Sequence, residues 1–312
     1  MPAAEASLTS EGAVARKGSR RHPVLADQRR TGLLFVTPAL VLFVVFSVVP
    51  VVYAFYLAFT DYRVLTPPRW IGLENFVAMA HDPVFWVAMR NTTYYAIGYV
   101  PGAMVLGLIA AVLLNGRIRG VTAYRTAFYI PVVTSIIVAS IIWLWIYNPQ
   151  VGLLNWALSL IGVQGPAWLY STTWAMPAVI IMSVWKNLGY VMIIYLAALQ
   201  GIPAHLYEAA SVDGASGKDS FFKITLPLLK PATFFIFVIS CISSFQVFGA
   251  VYVMTKGGPV NSTTTLVYEI YIISFQALKM GYGAAESVAL FAAIFILSMV
   301  NFRLLGQDTE YI

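Results

Sequence analysis

The chain has 312 residues, of which 60% are hydrophobic and only 10% are charged. Soluble domains are nearer half apolar and a quarter charged, so this composition, with a mean hydropathy of +0.78, excludes an ordinary soluble protein. The formal net charge is +6, but the sequence shows no basic face of the kind that binds nucleic acid. The single cysteine, Cys241, excludes a disulfide within the chain.

The N-terminal segment, 1–31, is rich in Ala, Ser and Arg and predicts a disordered, basic tail that is attracted to anionic lipid. The apolar segment 32–58 follows. It is longer than the apolar core of a signal peptide, and no small-residue cleavage site follows it. We therefore expect it to be the first membrane span.

Five further spans are predicted, because each lies in a stretch with little or no charge that is long enough to cross a bilayer. They are placed at 92–115, 126–147, 174–199, 232–254 and 286–305. Backbone groups in lipid must pair within their own segment, and the two-residue alternation of a membrane β-barrel is absent from the sequence. We expect an all-α integral membrane protein with six transmembrane helices in a domain covering 32–305.

The distribution of Lys and Arg predicts the orientation of the spans. Basic residues concentrate in the tail and in loops 116–125 and 200–231, and Arg303 adds one at the end of the last span. Both termini, including a C-terminal tail at 306–312, are therefore predicted to be cytoplasmic. The predicted outer loops are 60–91, 148–173 and 255–285. The apolar part of the last of these loops predicts a helix packed on the outer mouth.

Span four carries four polar residues at i, i+3, i+4 and i+7, which form one helical stripe. They are Ser183, Lys186, Asn187 and Tyr190. A second stripe in span five comprises Ser240, Ser243 and Ser244, with Phe248 beside it. Polar groups inside spans are candidates for a substrate pathway, although small polar residues also serve helix packing. Lys186 lies mid-span, so we expect it to face a wet cavity or an acidic partner.

The loop 200–231 is longer than an ordinary connection between helices, which has roughly 2–8 residues. Pro203 can begin a short helix, and Gly214 can supply a sharp turn. Ser216 and Asp219 have the spacing of a capping box for a second helix. The resulting helix–bend–helix is either a docking element or a mere connector. A phosphate-binding loop is excluded, because Val212 and Asp219 stand where that motif needs a glycine and a hydroxyl.

The same loop resembles the EAA signature of the permease subunits of binding-protein-dependent ABC importers. The similarity lies in Glu208-Ala209-Ala210, Asp213-Gly214-Ala215 and Ile224-Thr225-Leu226-Pro227. Further segments follow the family order: IGLENF (71–76), NTTYYA (91–96), ALQGIP (198–203) and TKGGPVNSTTTLVYEIYIISF (255–275). Together they are similar to the carbohydrate-uptake branch, the permeases of maltose-type and glycerol-3-phosphate-type systems.

The resemblance implies a type I importer permease whose EAA segment lies in a cleft of a cytoplasmic ATPase. Glu208 would be the contact acid and Gly214 the turn. The implied coupling residues are Glu208, Ala209, Ala210, Asp213, Gly214, Ala215, Ile224, Leu226 and Pro227. The implied partners are a second homologous permease, an ATPase dimer that binds ATP and magnesium, and an extracytoplasmic solute-binding protein or lipoprotein. The chain itself would bind no cofactor.

The predicted function is therefore transport of a sugar or sugar-like solute across a bacterial cytoplasmic membrane by alternating access. Oligosaccharide, monosaccharide, glycerol-3-phosphate and glycerophosphodiester are all compatible substrates. A self-contained secondary transporter is an alternative, but it would need internal repeats and usually more spans. A membrane-embedded enzyme would need clustered His, Asp or Glu near a membrane face. The histidines of this chain lack metal-ligand spacing, so no metal site is predicted.

Overall fold

The computed structural model describes residues 23–116 and 119–305. The chain forms two units, Met1–Tyr53 and Ala54–Ile312. Helix α1 begins with Pro23–Phe43, continues through a π-helical turn at Val44–Val48 and ends with Val49–Ala58. The prediction of a disordered tail is therefore wrong for 23–31, where proline at the first helical position starts the helix. The rest of that tail, 1–22, and the C-terminal tail at 306–312 lie outside the described residues.

Over its described residues, the second unit consists of helices and connecting loops with one short antiparallel strand pair. The strands β1 (Thr60–Asp61) and β2 (Arg69–Trp70) pair with Thr60 opposite Trp70. The helices are α2 (Glu74–His81), α3 (Pro83–Leu114), α4 (Val121–Val133), α5 (Ile136–Ile146), α6 (Leu153–Leu160), α7 (Ala175–Gln200), α8 (Ala204–Val212), α9 (Gly217–Leu228), α10 (Lys230–Phe245), α11 (Gly249–Met254), α12 (Leu266–Gln276) and α13 (Met280–Leu305).

Four helices of the described chain are long and apolar enough to cross a membrane, namely Thr31–Ala58 within α1, α3, α7 and Met280–Asn301 within α13. Two bent pairs, α4–α5 and α9–α10, raise the number to six if each pair is one span. The span predicted at 126–147 is not one continuous helix, because α4 and α5 meet at 102°. Pro131 near the end of α4 lacks an N–H and disturbs the helical hydrogen bonds there.

The fifth predicted span, 232–254, is also interrupted. Helix α10 ends at Phe245 and α11 begins at Gly249. The hydroxyl of Thr265 donates a 3.1 Å hydrogen bond to the carbonyl of Val247, which satisfies a backbone group inside this break. A break in a membrane helix is tolerated where another part of the protein supplies such a partner.

The core of the second unit is built around the contact between α3 and α7. Gly102 and Gly107 of α3 face Val184 and Val191 of α7, which lets the two helices approach closely. On another side of α7, Gly189 lies against the backbone of Phe128 in α4. Helix α7 is therefore held between α3 and α4, and its polar stripe has a fixed direction.

Candidate translocation site and coupling loop

A cavity of about 480 Å³ lies where α3, α7 and the two broken segments meet. The structure brings six of the eight predicted pathway residues to this cavity: Ser183, Asn187 and Tyr190 from α7, and Ser240, Ser243 and Phe248 from α10 and the break after it. The two stripes in the sequence therefore face one space. The break between α4 and α5 supplies Val132 and Ile136 to the same wall.

Several polar groups at the cavity also hydrogen-bond within α7. The hydroxyl of Ser183 donates to the carbonyl of Val179 at 2.8 Å, and the amide of Asn187 donates to the carbonyl of Ser183 at 3.0 Å. These bonds fix the side chains in one orientation. An asparagine amide has a second N–H and a carbonyl oxygen, so Asn187 retains hydrogen-bonding capacity toward a solute.

Two aromatic residues of the cavity, Tyr95 and Tyr99, were missed by the sequence analysis. Tyr95 and Tyr99 of α3 are buried, stack with ring centroids 5.5 Å apart and line the cavity. Phe248 stacks on Tyr252 at 5.3 Å and contacts Tyr271 at the same distance. The i, i+4 spacing of Tyr95 and Tyr99 on one helix face was the available signal.

Lys186 and Ser244 are the two predicted pathway residues outside the lining. The Lys186 ammonium donates to the carbonyls of Pro131 at 3.3 Å and Val132 at 3.4 Å. In place of the expected wet cavity or acidic partner, Lys186 contacts the end of α4, whose partial negative charge attracts a cation. Ser244 is fully buried and donates to the carbonyl of Cys241 at 2.7 Å, as in the packing alternative.

The coupling loop, defined as residues 200–231, has the helix–bend–helix form predicted from the sequence. Helix α8 is followed by Gly214, whose φ is +77°, a conformation that glycine adopts without strain. The capping box at the start of α9 is confirmed. The Ser216 hydroxyl accepts from the Asp219 amide at 3.2 Å, and the Ser216 amide donates to the Asp219 carboxylate at 3.2 Å.

The two arms of the coupling loop are tied together. The hydroxyl of Tyr207 in α8 lies 2.9 Å from that of Thr225 in α9. Within α9 itself, Lys223 forms a 2.7 Å ion pair with Asp219. Hydrogen bonds from Lys223 and Ser216 to this carboxylate lower the pKa of Asp219 to about 2. The loop is thus a braced element rather than a loose connection.

The outer face of the coupling loop combines an acid with apolar side chains. Six of the predicted coupling residues are exposed: Glu208, Ala209, Asp213, Gly214, Leu226 and Pro227. The other three, Ala210, Ala215 and Ile224, are half-buried. Val212 and Phe222, which the sequence analysis did not select, are 87% and 63% exposed. An apolar surface of this kind beside an acid is suited to docking on a protein partner.

Acidic residues from distant parts of the chain meet at the other end of the second unit. The hydroxyl of Tyr282 donates to the Asp82 carboxylate at 2.8 Å. Burial and the nearby Asp82 charge raise the pKa of Glu269. Within the described ranges, no group of three or more His, Cys, Asp or Glu side chains could hold a metal ion. This meeting of acids was not predicted from the sequence.

Comparison with known proteins agrees with the geometry. The family described as "Binding-protein-dependent transport system inner membrane component" matches residues 103–308. The chain is 35% identical over 311 residues to the probable ABC transporter permease protein YesP of Bacillus subtilis, covering 97% of this chain and 98% of the relative. It is 34% identical over 282 residues to the sn-glycerol-3-phosphate transport system permease protein UgpA of Salmonella typhi, covering 89% and 95%.

A solved structure has the same fold. A chain from a bacterial ABC transporter involved in the import of the acidic polysaccharide alginate superposes with a TM-score of 0.81 at 24% identity. The match covers 92% of this chain and 100% of the other.

Proposed function

From the premise that this chain belongs to the family of binding-protein-dependent transport system inner membrane components, as the permease subunit of an ABC importer, we propose that it moves a sugar or sugar-like solute through the cavity between α3, α7 and α10. The chain is the non-catalytic translocation subunit. ATP and magnesium would be bound by a partner ATPase dimer. Its movement would reach the membrane helices through the coupling loop.

One structural observation carries the proposal. The coupling loop connects α7 directly to α10, and these two helices supply most of the polar residues at the cavity. A displacement of the loop therefore moves two walls of the cavity, with the Tyr207–Thr225 contact holding its arms together. Alternating access needs this kind of rigid connection between a driven element and a solute site.

The proposed assembly contains a second homologous permease and an extracytoplasmic solute-binding protein or lipoprotein. The second permease would complete the solute pathway beside this cavity. The chain is a multi-pass membrane protein, and we place it in a bacterial cytoplasmic membrane with six spans and both termini cytoplasmic. The bent pair α4–α5 would be the third span, and α10 together with α11 would be the fifth.

Proline substitutions in the coupling loop test the proposal. Proline fixes φ at about −65°, which is incompatible with the +77° of Gly214. Gly217→Pro is the matched control, because Gly217 is the first residue of α9, where proline is favoured, and Ser216 before it is extended. Both variants would be reconstituted with the complete importer in proteoliposomes, and ATP-driven solute uptake and ATP hydrolysis would be measured.

Gly214→Pro should leave the protein inserted in the membrane while abolishing uptake and uncoupling ATP hydrolysis from the solute. Gly217→Pro should transport at nearly the rate of the unmodified protein. Normal uptake by Gly214→Pro would contradict the coupling role of this loop. Loss of membrane insertion in both variants would instead indicate a purely structural role for the loop.

A further inference from the structure

The side chains that line the cavity indicate which kind of solute it can bind. Among the described residues that line it, none is Asp, Glu, Lys, Arg or His. The polar groups are hydroxyls and carboxamides, namely those of Tyr95, Tyr99, Ser183, Asn187, Tyr190, Ser240, Ser243 and Gln246. Each of these groups can hydrogen-bond with a neutral partner without bringing a charge of its own.

The cation next to the cavity is already bound. Two of the three N–H donors of the Lys186 ammonium point to the carbonyls of Pro131 and Val132 at the end of α4. The C-terminal end of a helix carries a partial negative charge, so it offsets the charge of Lys186. Proteins usually recognise phosphates and carboxylates through bidentate Arg or free Lys, and this wall presents neither to the cavity.

The shape of the wall favours a ring with many hydroxyls. The Tyr95–Tyr99 stack and Phe248 give flat apolar faces, and the serines and amides lie beside them. Aromatic faces can contact the C–H side of a sugar ring while hydroxyls and amides bond its edge. A cavity of about 480 Å³ lies within the usual range of roughly 300–1,000 Å³ for small-molecule sites.

We propose that this chain selects an uncharged saccharide and disfavours phosphorylated or acidic solutes. This inference rests on the proposed function and narrows it. It also distinguishes the chain from UgpA of the sn-glycerol-3-phosphate transport system and from the transporter involved in the import of the acidic polysaccharide alginate. An anion moved into a wall without a free cation loses its hydration without gaining a counter-charge, which is strongly unfavourable.

The first experiment uses the complete importer in proteoliposomes loaded with ATP. The probes are maltose, trehalose and raffinose as neutral sugars, and sn-glycerol-3-phosphate and trigalacturonate as anions. Accumulation of a neutral sugar, without accumulation of either anion, is the expected result. ATP-driven accumulation of an anion would overturn the inference and leave the proposed function standing. If ATP drives no accumulation of any probe, the result counts against the proposed function.

A second experiment decides the inference without knowledge of the substrate. Cysteine is introduced as Ser243→Cys, at the exposed cavity wall, in a Cys241→Ser background of the assembled importer. Ser244→Cys is the matched control, because Ser244 is adjacent in sequence and fully buried. The rate of cysteine modification is then measured with a neutral methanethiosulfonate reagent and with one that carries a sulfonate. Each rate is divided by the rate of the same reagent with free cysteine.

In an uncharged cavity, the sulfonate reagent should modify Ser243→Cys about tenfold more slowly than the neutral reagent, after that correction. Ser244→Cys should remain unmodified by both. A sulfonate rate equal to or above the neutral rate would overturn the inference, because it would reveal a cation in the pathway. Absence of any modification of Ser243→Cys would also overturn it, since the inference places this side chain where a solute can reach it.

Discussion

The ammonium of Lys186 lies 3.3 Å from the carbonyl oxygen of Pro131, across the contact between α7 and α4. It thereby caps a helix that ends inside the protein at a 102° bend. A lysine in the middle of a predicted span thus has a structural partner in the backbone. The same ammonium contacts the carbonyl of Val132, a residue that lines the cavity. A change in the bend would therefore also change the shape of the cavity.

Lys186→Met should destabilise the protein, because it leaves the carbonyls at the end of α4 without their cation. The expected loss is about 1–2 kcal/mol, the range of a charged hydrogen bond in a partly exposed place. Thermal unfolding of the purified chain in detergent measures it. Lys279→Met, at an exposed lysine, is the control and should change the free energy of unfolding by less than about 0.5 kcal/mol. Unchanged unfolding with reduced uptake would instead assign Lys186 to the solute pathway.

The contact between Tyr207 and Thr225 gives a second prediction. Tyr207→Phe removes the 2.9 Å hydrogen bond between the arms of the coupling loop and should weaken their association by about 0.5–1.5 kcal/mol. The looser loop should increase the number of ATP molecules hydrolysed per solute transported. Tyr170→Phe, at a tyrosine that is 76% exposed, serves as the control. An unchanged ratio in Tyr207→Phe would show that the hydroxyl pair does not brace the loop.

The parts of the structure that were predictable from the sequence depend on local patterns. The stripe from Ser183 to Tyr190 follows from helical spacing, and the structure directs three of its four members to one cavity. The capping box of Ser216 and Asp219 was predictable because its partners are three residues apart. Local composition likewise indicated α3, α7 and α13 as apolar segments.

Pro131 is a local signal for the break in the third span, but the partners that stabilise the two breaks are distant in the sequence and were not predictable. The end of α4 is stabilised by Lys186 and the break after α10 by Thr265, and neither pair has a local signature. Tyrosines in spans read most simply as residues of the membrane interface, so Tyr95 and Tyr99 were not assigned to the cavity. Their position at the cavity depends on the packing of α3 on α7, which the sequence does not reveal.

The low pKa of Asp219 predicts a pH dependence of the coupling loop. A carboxyl group whose pKa is lowered on folding stabilises the native state above its ordinary pKa of 3.8 and loses that effect as the pH falls through about 2. Protection of the first turn of α9 against amide hydrogen exchange, corrected for the intrinsic rate, should therefore fall between about pH 4 and pH 2. Asp219→Asn should abolish this step and expose the turn at neutral pH.

Asp213→Asn is the matched control for this experiment, because Asp213 is an exposed carboxylate of the same loop that lies before the capping box. It should preserve the pH-dependent step in α9. The same step in Asp219→Asn would mean that another group controls the protection. The measurement needs only the purified chain, so it is independent of the identity of the solute and of the ATPase.

Close packing of α3 on α7 gives the last prediction, which compares two glycines of one helix. A Cβ added at Gly107 would lie 2.5 Å from Cγ1 and 2.8 Å from Cβ of Val191, and a valine Cβ cannot rotate away. A Cβ added at Gly98 would lie 2.8 Å from Cδ1 of Ile180, the flexible end of that side chain. Both replacements by alanine gain about 1 kcal/mol of helix propensity, so the difference between them reports packing.

Gly107→Ala should therefore destabilise the protein, since overpacking costs about 1–3 kcal/mol, whereas Gly98→Ala should be neutral or stabilising. Thermal unfolding of the two purified variants tests this contrast. The double variant Gly107→Ala, Val191→Ala should be less destabilised than the two single variants added together, because the two side chains share one space. The difference in the free energy of unfolding should be at least about 0.5 kcal/mol. Equal stability of the two glycine variants would mean that α3 and α7 are farther apart in the membrane than the contact at Val191 requires.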